Sequence, residues 1–498
     1  MSAVGSIMTN TGALSALNSI SNTTTTNNNL ESQLSSGLSI NSPSNNPAGY
    51  ITAQGFTSQL NGLTQAVSNA NQGVSLLQTA QGAITQQVSV VQQLNSISVQ
   101  AANGTQTAAE SQSLQTLASQ LTSQVSTIAK QTQFNNISLL DGSFQGVQFQ
   151  VGANEGQTMS LSISNTNASA IGMWHSSAGA NYKGTNGTAT NGKTGSAAIT
   201  LGAPASTLGA FTAGTATITG ANGQTEAVTS KAGESAASLA SAINNLSSQA
   251  GVQAQAHTQA TFQLKAGGSG QYKFSIQAAS SGATTIGGKQ NIVASSAAGV
   301  VSEINSQSST SGIAASLDKN GNLVLTQSAG ENINITGASS GSLTAVDSTG
   351  TATGAVIKTG AASAVIQGQL QLQSSGAFSV TSGSAIGVKG TSSLADLGDI
   401  NVSSTSGANA AINVVKYALA TLNNQGGTLG AVQQSLTANI NNMNTTSQNL
   451  TTALGVVQDA NIPAVSTQLT QSQIQAQAGV AALKASTQLQ QSYTSLLP

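Results

Sequence analysis

The side chains best suited to acid–base or metal chemistry are few in this sequence. The chain has 2 His and no Cys. His175 and His257 lie far apart in a glycine-rich stretch with no carboxylate cluster near either, so nothing gathers a ligand set or a proton relay. Asp396 and Asp399 are close together in Leu394-Ala395-Asp396-Leu397-Gly398-Asp399-Ile400. Paired carboxylates can do general acid–base work, but a turn before a helix explains this pair more simply. Trp174, the single tryptophan, reads as a domain anchor. The absence of Cys removes disulfides, thiolate metal sites and thiol nucleophiles. No catalytic, cofactor-binding or metal-ligating residues are therefore assigned, and the chain reads as something other than an enzyme.

Composition narrows the classes further. Charged residues make up 5% and aromatics 3%, against 38% hydrophobic and a net charge of -1. Average chains carry about 25% charged residues. Disorder throughout is not implied, because low hydrophobicity with high net charge is its mark. All 12 basic residues are Lys; without arginine forks, nucleic-acid binding is not expected. No apolar run is long enough to insert in a bilayer. Met1-Ser2-Ala3-Val4-Gly5 lacks the basic and apolar regions of a secretory signal, so a cytosolic protein or a dedicated export route is expected.

The elements that carry the function are long helices. Phe56, Leu60, Leu63, Val67, Ala70, Val74, Leu77, Ile84, Val88 and Val91 recur in steps of three, four and seven, with one slot, Gln81, polar. This is a heptad stripe along one helix of about 50 Å, which partner helices must bury. The matching stripe is Val415, Ala418, Leu422, Leu429, Val432, Leu436, Ile440, Met443, Leu450 and Leu454. Pairing the two brings the chain's ends together.

Ala102-Asn103-Gly104 ends the first helix, and Leu114, Leu117, Leu121, Val125 and Ile128 form a second. In residues 1–40, Ile7, Met8, Leu14, Leu17 and Ile20 are separated by the tract Asn22–Asn29 from Leu30, Leu34 and Leu38. Such helices are marginal alone and need a partner. Ser42-Pro43-Ser44-Asn45-Asn46-Pro47 is a turn. Val465, Leu469, Ile474, Ala478, Ala482, Leu483 and Leu489 mark a last helix with a small-residue face.

Between the helices the period changes. Val147–Val151 and Met159–Ile163 alternate like strands. Residues 166–405 read as one or two β-rich domains with a weak helix–strand repeat, about 231–278 and 291–337, the second copy closing on the turn Asp318-Lys319-Asn320-Gly321-Asn322. The expected fold class is α+β: an elongated antiparallel helical bundle or coiled coil made from both termini, with a β-rich central insertion.

Several motifs in one order resemble bacterial flagellin. They are Leu34-Ser35-Ser36-Gly37-Leu38, Asn69-Ala70-Asn71 with Gly73, Gln131-Thr132-Gln133-Phe134-Asn135, Leu139-Leu140-Asp141-Gly142 and Phe149-Gln150-Val151-Gly152-Ala153-Asn154, then Leu429-Gly430-Ala431-Val432-Gln433, Gln477-Ala478-Gly479 and Ser495-Leu496-Leu497. The resemblance spans roughly 1–165 and 405–498. It implies a structural subunit that self-assembles into an extracellular flagellar filament for motility. Residues 1–42 with 458–498 would line an inner tube, 43–165 with 405–457 would form an outer tube, and 166–405 would be a variable surface domain. It further implies export through the flagellar channel and, as partners, an export chaperone, the filament cap and hook-associated proteins.

The chain departs from the family where flagellins place Arg-Leu-Ser-Ser-Gly-Leu-Arg and Lys-Asp-Asp: here stand Gln33, Ser39, Ser44, Asn45 and Asn46. At the innate-receptor site it has Gln93, Ile97 and Leu117 in place of Arg, Leu and Glu, so recognition by the flagellin-sensing Toll-like receptor is not expected. Acidification to about pH 2 moves the net charge only to about +14, which suggests a filament that tolerates acid. Rival readings are a hook-filament junction protein and a secreted adhesin or glycan-binding protein with a helical stalk.

Overall fold

A computed structural model describes residues 10–176, 199–201, 211, 213–231, 234–279, 285–318, 320–346, 352–358, 364–366, 368–388 and 390–494. Met1–Gly5, Ile7, Met8, Lys319 and Ser495-Leu496-Leu497, which enter the sequence reading, lie outside the described residues. The chain divides into two compact units. One comprises Met1–Leu77, Gly146–Leu161 and Ala431–Pro498; the other comprises Gln78–Gln145 and Ser162–Gly430.

In the first unit α1 (Thr11–Ser36) starts at Asn10, whose side chain accepts from the Ala13 N–H at 2.8 Å, and stops at the left-handed Gly37. It runs unbroken through Asn22–Asn29, the tract expected to divide it. Thr23, Thr24, Thr25 and Thr26 each donate their hydroxyl to the carbonyl four residues back, so the tract satisfies itself within the helix.

The turn before α2 (Pro47–Ala101) ends with Asn46, whose side chain accepts from the Gly49 N–H at 3.0 Å, and Pro47 takes the first helical position. α2 and the returning α8 (Thr405–Gln458) supply residues to both units. After it, α9 (Ile462–Thr494) closes the described chain.

Two rows of side chains are buried along α2. Leu63, Ala70, Leu77, Ile84, Val91 and Ser98 follow the expected heptad, and the second row is Ala66, Gly73, Ala80, Gln87, Leu94 and Ala101. The row expected there, Leu60, Val67, Val74, Gln81 and Val88, is only half-buried. Small residues won because they let neighbours come close. In the first unit a Cβ added to Gly73 would stand 3.3 Å from Leu436 Cδ1 and 3.5 Å from Phe149 Cδ1, and one on Gly62 would stand 2.9 Å from Ala153 Cβ.

Phe149 and Ala153 belong to the hairpin Val147–Gln150 with Thr158–Leu161, tied to α2 where Asn69 Nδ2 donates to Gln150 O at 3.3 Å. On α8, Val415, Leu422, Leu429, Leu436 and Met443 are all buried at heptad spacing. In the second unit a Cβ on Gly426 would meet Ile84 Cγ2 at 3.9 Å, so the two seams face each other there too.

Also in the second unit, α3 (Ala108–Gln131) opens with a capping box between Thr107 and Glu110, and this hydrogen bonding holds the Glu110 carboxyl below its ordinary pKa. Gln87, with no exposed surface, donates to Val125 O at 3.0 Å and Thr166 O at 3.2 Å. The short hairpin Gln133–Phe134 with Ile137–Ser138 turns through Asn135 and Asn136, both at positive φ (50° and 62°).

The β-rich part is organised on one strand, Val252–Lys265, which alternates buried and exposed residues along its length. Its Val252, Ala254 and Ala256 join a core with Leu239, Ile243, Leu370, Leu372, Phe378 and Val380; its Ala260 and Phe262 join another with Phe274, Ile276, Ile304, Leu323 and Ile333. All its strand partners (Leu323–Gln327, Ser342–Val346 and Gln369–Ser374) are antiparallel.

The repeat is visible in detail. Helix α4 (Ala236–Asn245), the single turn α5 (Ser247–Ala250) and left-handed Gly251 precede Val252; α6 (Ala297–Ser306), α7 (Ser308–Ser311) and left-handed Gly312 precede Ile313. In each copy one asparagine clamps the following strand with both atoms of its amide. Asn244 bonds Ala254 N and O at 2.7 and 2.9 Å, and Asn305 bonds Ala315 N and O at 2.8 and 2.8 Å. Asn305→Ala is expected to destabilise its module by about 1–3 kcal/mol. Hydrogen exchange at the Ala315 amide should speed up accordingly, and unchanged protection would contradict the clamp.

Candidate assembly surface

The residues with chemical potential remain apart. His175, on the strand Gly172–His175, places Nδ1 3.1 Å from Ser176 O and Nε2 3.3 Å from Ser393 Oγ. His257 sits opposite Gln369 on the long strand. Burial lowers the pKa of both imidazoles. Asp396 spends its Oδ1 on the N–H groups of Gly398 and Asp399, at 2.9 and 3.0 Å, capping a short 3₁₀ turn. Trp174 packs against the core that holds Leu372 and Phe378. Among the described residues no group of three or more His, Cys, Asp or Glu is placed to hold a metal ion.

The feature that stands out is the pair α1 and α9. They run antiparallel. Asn10 Nδ2 donates to Gln490 Oε1 at 2.6 Å, and Ser486 Oγ donates to Asn10 Oδ1 at 3.0 Å; Ile20 Cγ1 lies where a Cβ on Gly479 would be 3.0 Å away. At the other end Ser39 N donates to Gln458 O at 2.7 Å and Ala460 N to Gly37 O at 2.9 Å.

The facing rows are Ala13, Ala16, Ile20, Thr23, Asn27 and Leu30 on α1, and Val465, Leu469, Ser472, Ala476, Gly479, Leu483 and Ser486 on α9, each in alternating steps of three and four. That is a two-helix coiled coil with small and polar residues in its seam. Asn27 Oδ1 and Ser472 Oγ are buried in it without a hydrogen-bond partner among the described residues.

Of the residues that mark the last helix in the sequence, Ile474 and Leu489 are 60% and 57% exposed. Val465, Leu469 and Leu483 of that set lie in the seam, while Ala478 and Ala482 are exposed; the small residues of the seam are instead Ser472, Ala476, Gly479 and Ser486. On α1, Leu14 and Leu17 are likewise 59% and 55% exposed. The seam therefore holds small and polar residues beside Ile20, Leu30, Val465, Leu469 and Leu483, while other large apolar residues stay exposed. Leu34 and Val480 are also exposed, at 38% and 42%.

Comparison with known proteins gives the family. The bacterial flagellin N-terminal helical region matches residues 7–145, the C-terminal helical region matches 412–497, and the flagellin hook IN motif matches 217–268 and 274–329. The B-type flagellin of Pseudomonas aeruginosa is 32% identical over 97% of this chain and 98% of its own length. Flagellin B of Vibrio anguillarum is 36% identical over 37% of this chain and 48% of its own. Among solved structures, FliC from Burkholderia pseudomallei covers 73% of this chain and 99% of its own at 18% identity, with a TM-score of 0.31. With its two helical end regions and a full-length relative all of one kind, this chain belongs to the bacterial flagellin family.

Proposed function

We propose that copies of this chain associate through the outward faces of α1 and α9. A flagellin is a structural subunit of the extracellular flagellar filament, and the reading adds which surfaces build it. Residues 1–42 with 458–498 form the inner layer, 43–165 with 405–457 the next, and 166–405 stands at the polymer surface. The observation that carries it is the exposure of Leu14, Leu17, Leu34, Ile474, Val480 and Leu489 on a pair of helices whose own seam is largely small and polar. Burying such side chains between copies contributes about 1 kcal/mol or more each. A two-helix pair whose seam is largely small and polar gains little by itself, so α1 and α9 gain further stability when a growing polymer receives them.

The chain acts by assembly and not by turnover of a substrate. An export chaperone, a filament cap and hook-associated proteins are the further partners this role calls for. Gln93 is exposed and Ile97 buried, while Leu117 is 43% exposed; with no charge at these three positions, recognition by the flagellin-sensing Toll-like receptor is not proposed.

Electron microscopy of the purified chain tests the reading. Full-length protein should grow long filaments, and removal of residues 1–40 should abolish them. The triple variant Leu14→Ser/Leu17→Ser/Ile474→Ser should raise the critical concentration at least tenfold while leaving the central domain folded. Filaments of normal length from either variant would contradict the assignment, and polymers that stay short in the full-length chain would favour the junction role.

A further inference from the structure

The surface just assigned carries almost nothing that titrates. Across Met1–Leu77, Gly146–Leu161 and Ala431–Pro498 the Asp, Glu and Lys residues are Glu31, Glu155, Asp459 and Lys484 alone, with no His and no Arg. All four are exposed. α2 has no charged side chain from Pro47 to Ala101, and α8 has only Lys416. Most of the chain's lysines lie between residues 183 and 416, in the other unit.

What takes the place of ions is explicit in the contacts. Within the unit the side-chain bonds that join separate segments are neutral: Asn10 with Ser486 and Gln490, Gln33 with Ser39 O, Asn69 with Gln150 O, and Ser39 with Gln458 O. On the outward faces the large apolar residues alternate with Ser, Thr, Asn and Gln. Glu31 on α1 and Lys484 on α9 are the charges on those two helices.

We infer that self-association through this surface is insensitive to pH and to ionic strength. The inference rests on the association of α1 and α9 proposed above. Apolar burial and amide or hydroxyl hydrogen bonds do not titrate between about pH 3 and 9, and salt does not screen them as it screens exposed ion pairs. A polymer held by carboxylate–lysine contacts would lose them as its carboxylates protonate. Here Glu31, Glu155, Asp459 and Lys484 are the Asp, Glu and Lys side chains that can change in the unit holding α1 and α9, and the rest of 43–165 with 405–457 adds only Glu110, Lys130, Asp141 and Lys416. The central domain carries most of the charge, and its repulsion acts at the outside of the assembly.

The test is the critical concentration of the full-length chain, measured by sedimentation at pH 7, 5 and 3 and in 20 and 500 mM NaCl. The expected result is a spread within about threefold over the whole series. A tenfold rise at pH 3, or across the salt series, overturns the inference. Failure to polymerise under every condition instead sinks the association reading, and the inference with it. A second variant keeps the logic tight: Gln473→Glu/Gln477→Glu places carboxylates on the exposed face of α9 beside Ile474. Its critical concentration should rise at least tenfold at pH 7 and return towards wild type at pH 4. If this variant keeps the flat wild-type profile, that face is outside the contact and the inference fails.

Discussion

Close backbone approach between helices that carry few large side chains is the constraint on which the rest of the helical structure depends. Along α2 the buried rows mix Leu63, Leu77 and Ile84 with Ala66, Ala70, Gly73 and Ala80. Leu436 of α8 and Phe149 of the hairpin reach into the space at Gly73, and Ala153 into the space at Gly62. Any substitution that adds bulk at Gly62 or Gly73 pushes the hairpin or α8 away. The α1–α9 pair uses the same device more sparingly, with Gly479 against Ile20 and with Thr23, Asn27, Ser472 and Ser486 sharing the seam with Leu30, Leu469 and Leu483. Such a pair is held weakly, which suits ends that must join a polymer.

Much of this was legible in the sequence, for definable reasons. The heptad rows Leu63 to Val91 and Val415 to Met443 stand out because Leu, Ile and Val recur without a proline. The turn at Pro43 to Pro47 and the stop at Asn103-Gly104 follow from backbone chemistry alone. The family was legible from ordered motifs such as Leu34-Ser35-Ser36-Gly37-Leu38. Three things were not. The second row of α2 has one large apolar residue, Leu94, among Ala66, Gly73, Ala80, Gln87 and Ala101, too few for the row to stand out. The tract Asn22–Asn29 looks like a break by propensity, yet its threonines close hydrogen bonds inside the helix. The partner face of α9 sets Ser472, Ala476, Gly479 and Ser486 between Val465, Leu469 and Leu483, and those four small residues carry no apolar signal.

In the β-rich part, local alternation revealed strands but could not order them. That the strand Val252–Lys265 serves two cores depends on pairing with segments as distant as Gln369–Ser374, which no local signal encodes. The clamps of Asn244 and Asn305 were present as identical letters in the two repeat copies. Their meaning emerged only once each amide was seen holding the N–H and C=O of one alanine on the next strand. Neutral side chains thus do in both units what ion pairs do in charge-rich proteins, with the geometry of amides setting register and small residues setting distance.

The central claim is that the first and last helices of one chain zip together antiparallel. The chain has no native Cys, so the double variant Gly12→Cys/Ser486→Cys offers a direct measurement; a Cβ on Gly12 stands 3.2 Å from Ser486 Oγ. Mild oxidation should close a disulfide within one chain, read as a faster-migrating monomer on a non-reducing gel, while Gly12→Cys/Ala464→Cys should not. Linkage only between chains, or equal linkage in both variants, would contradict the account.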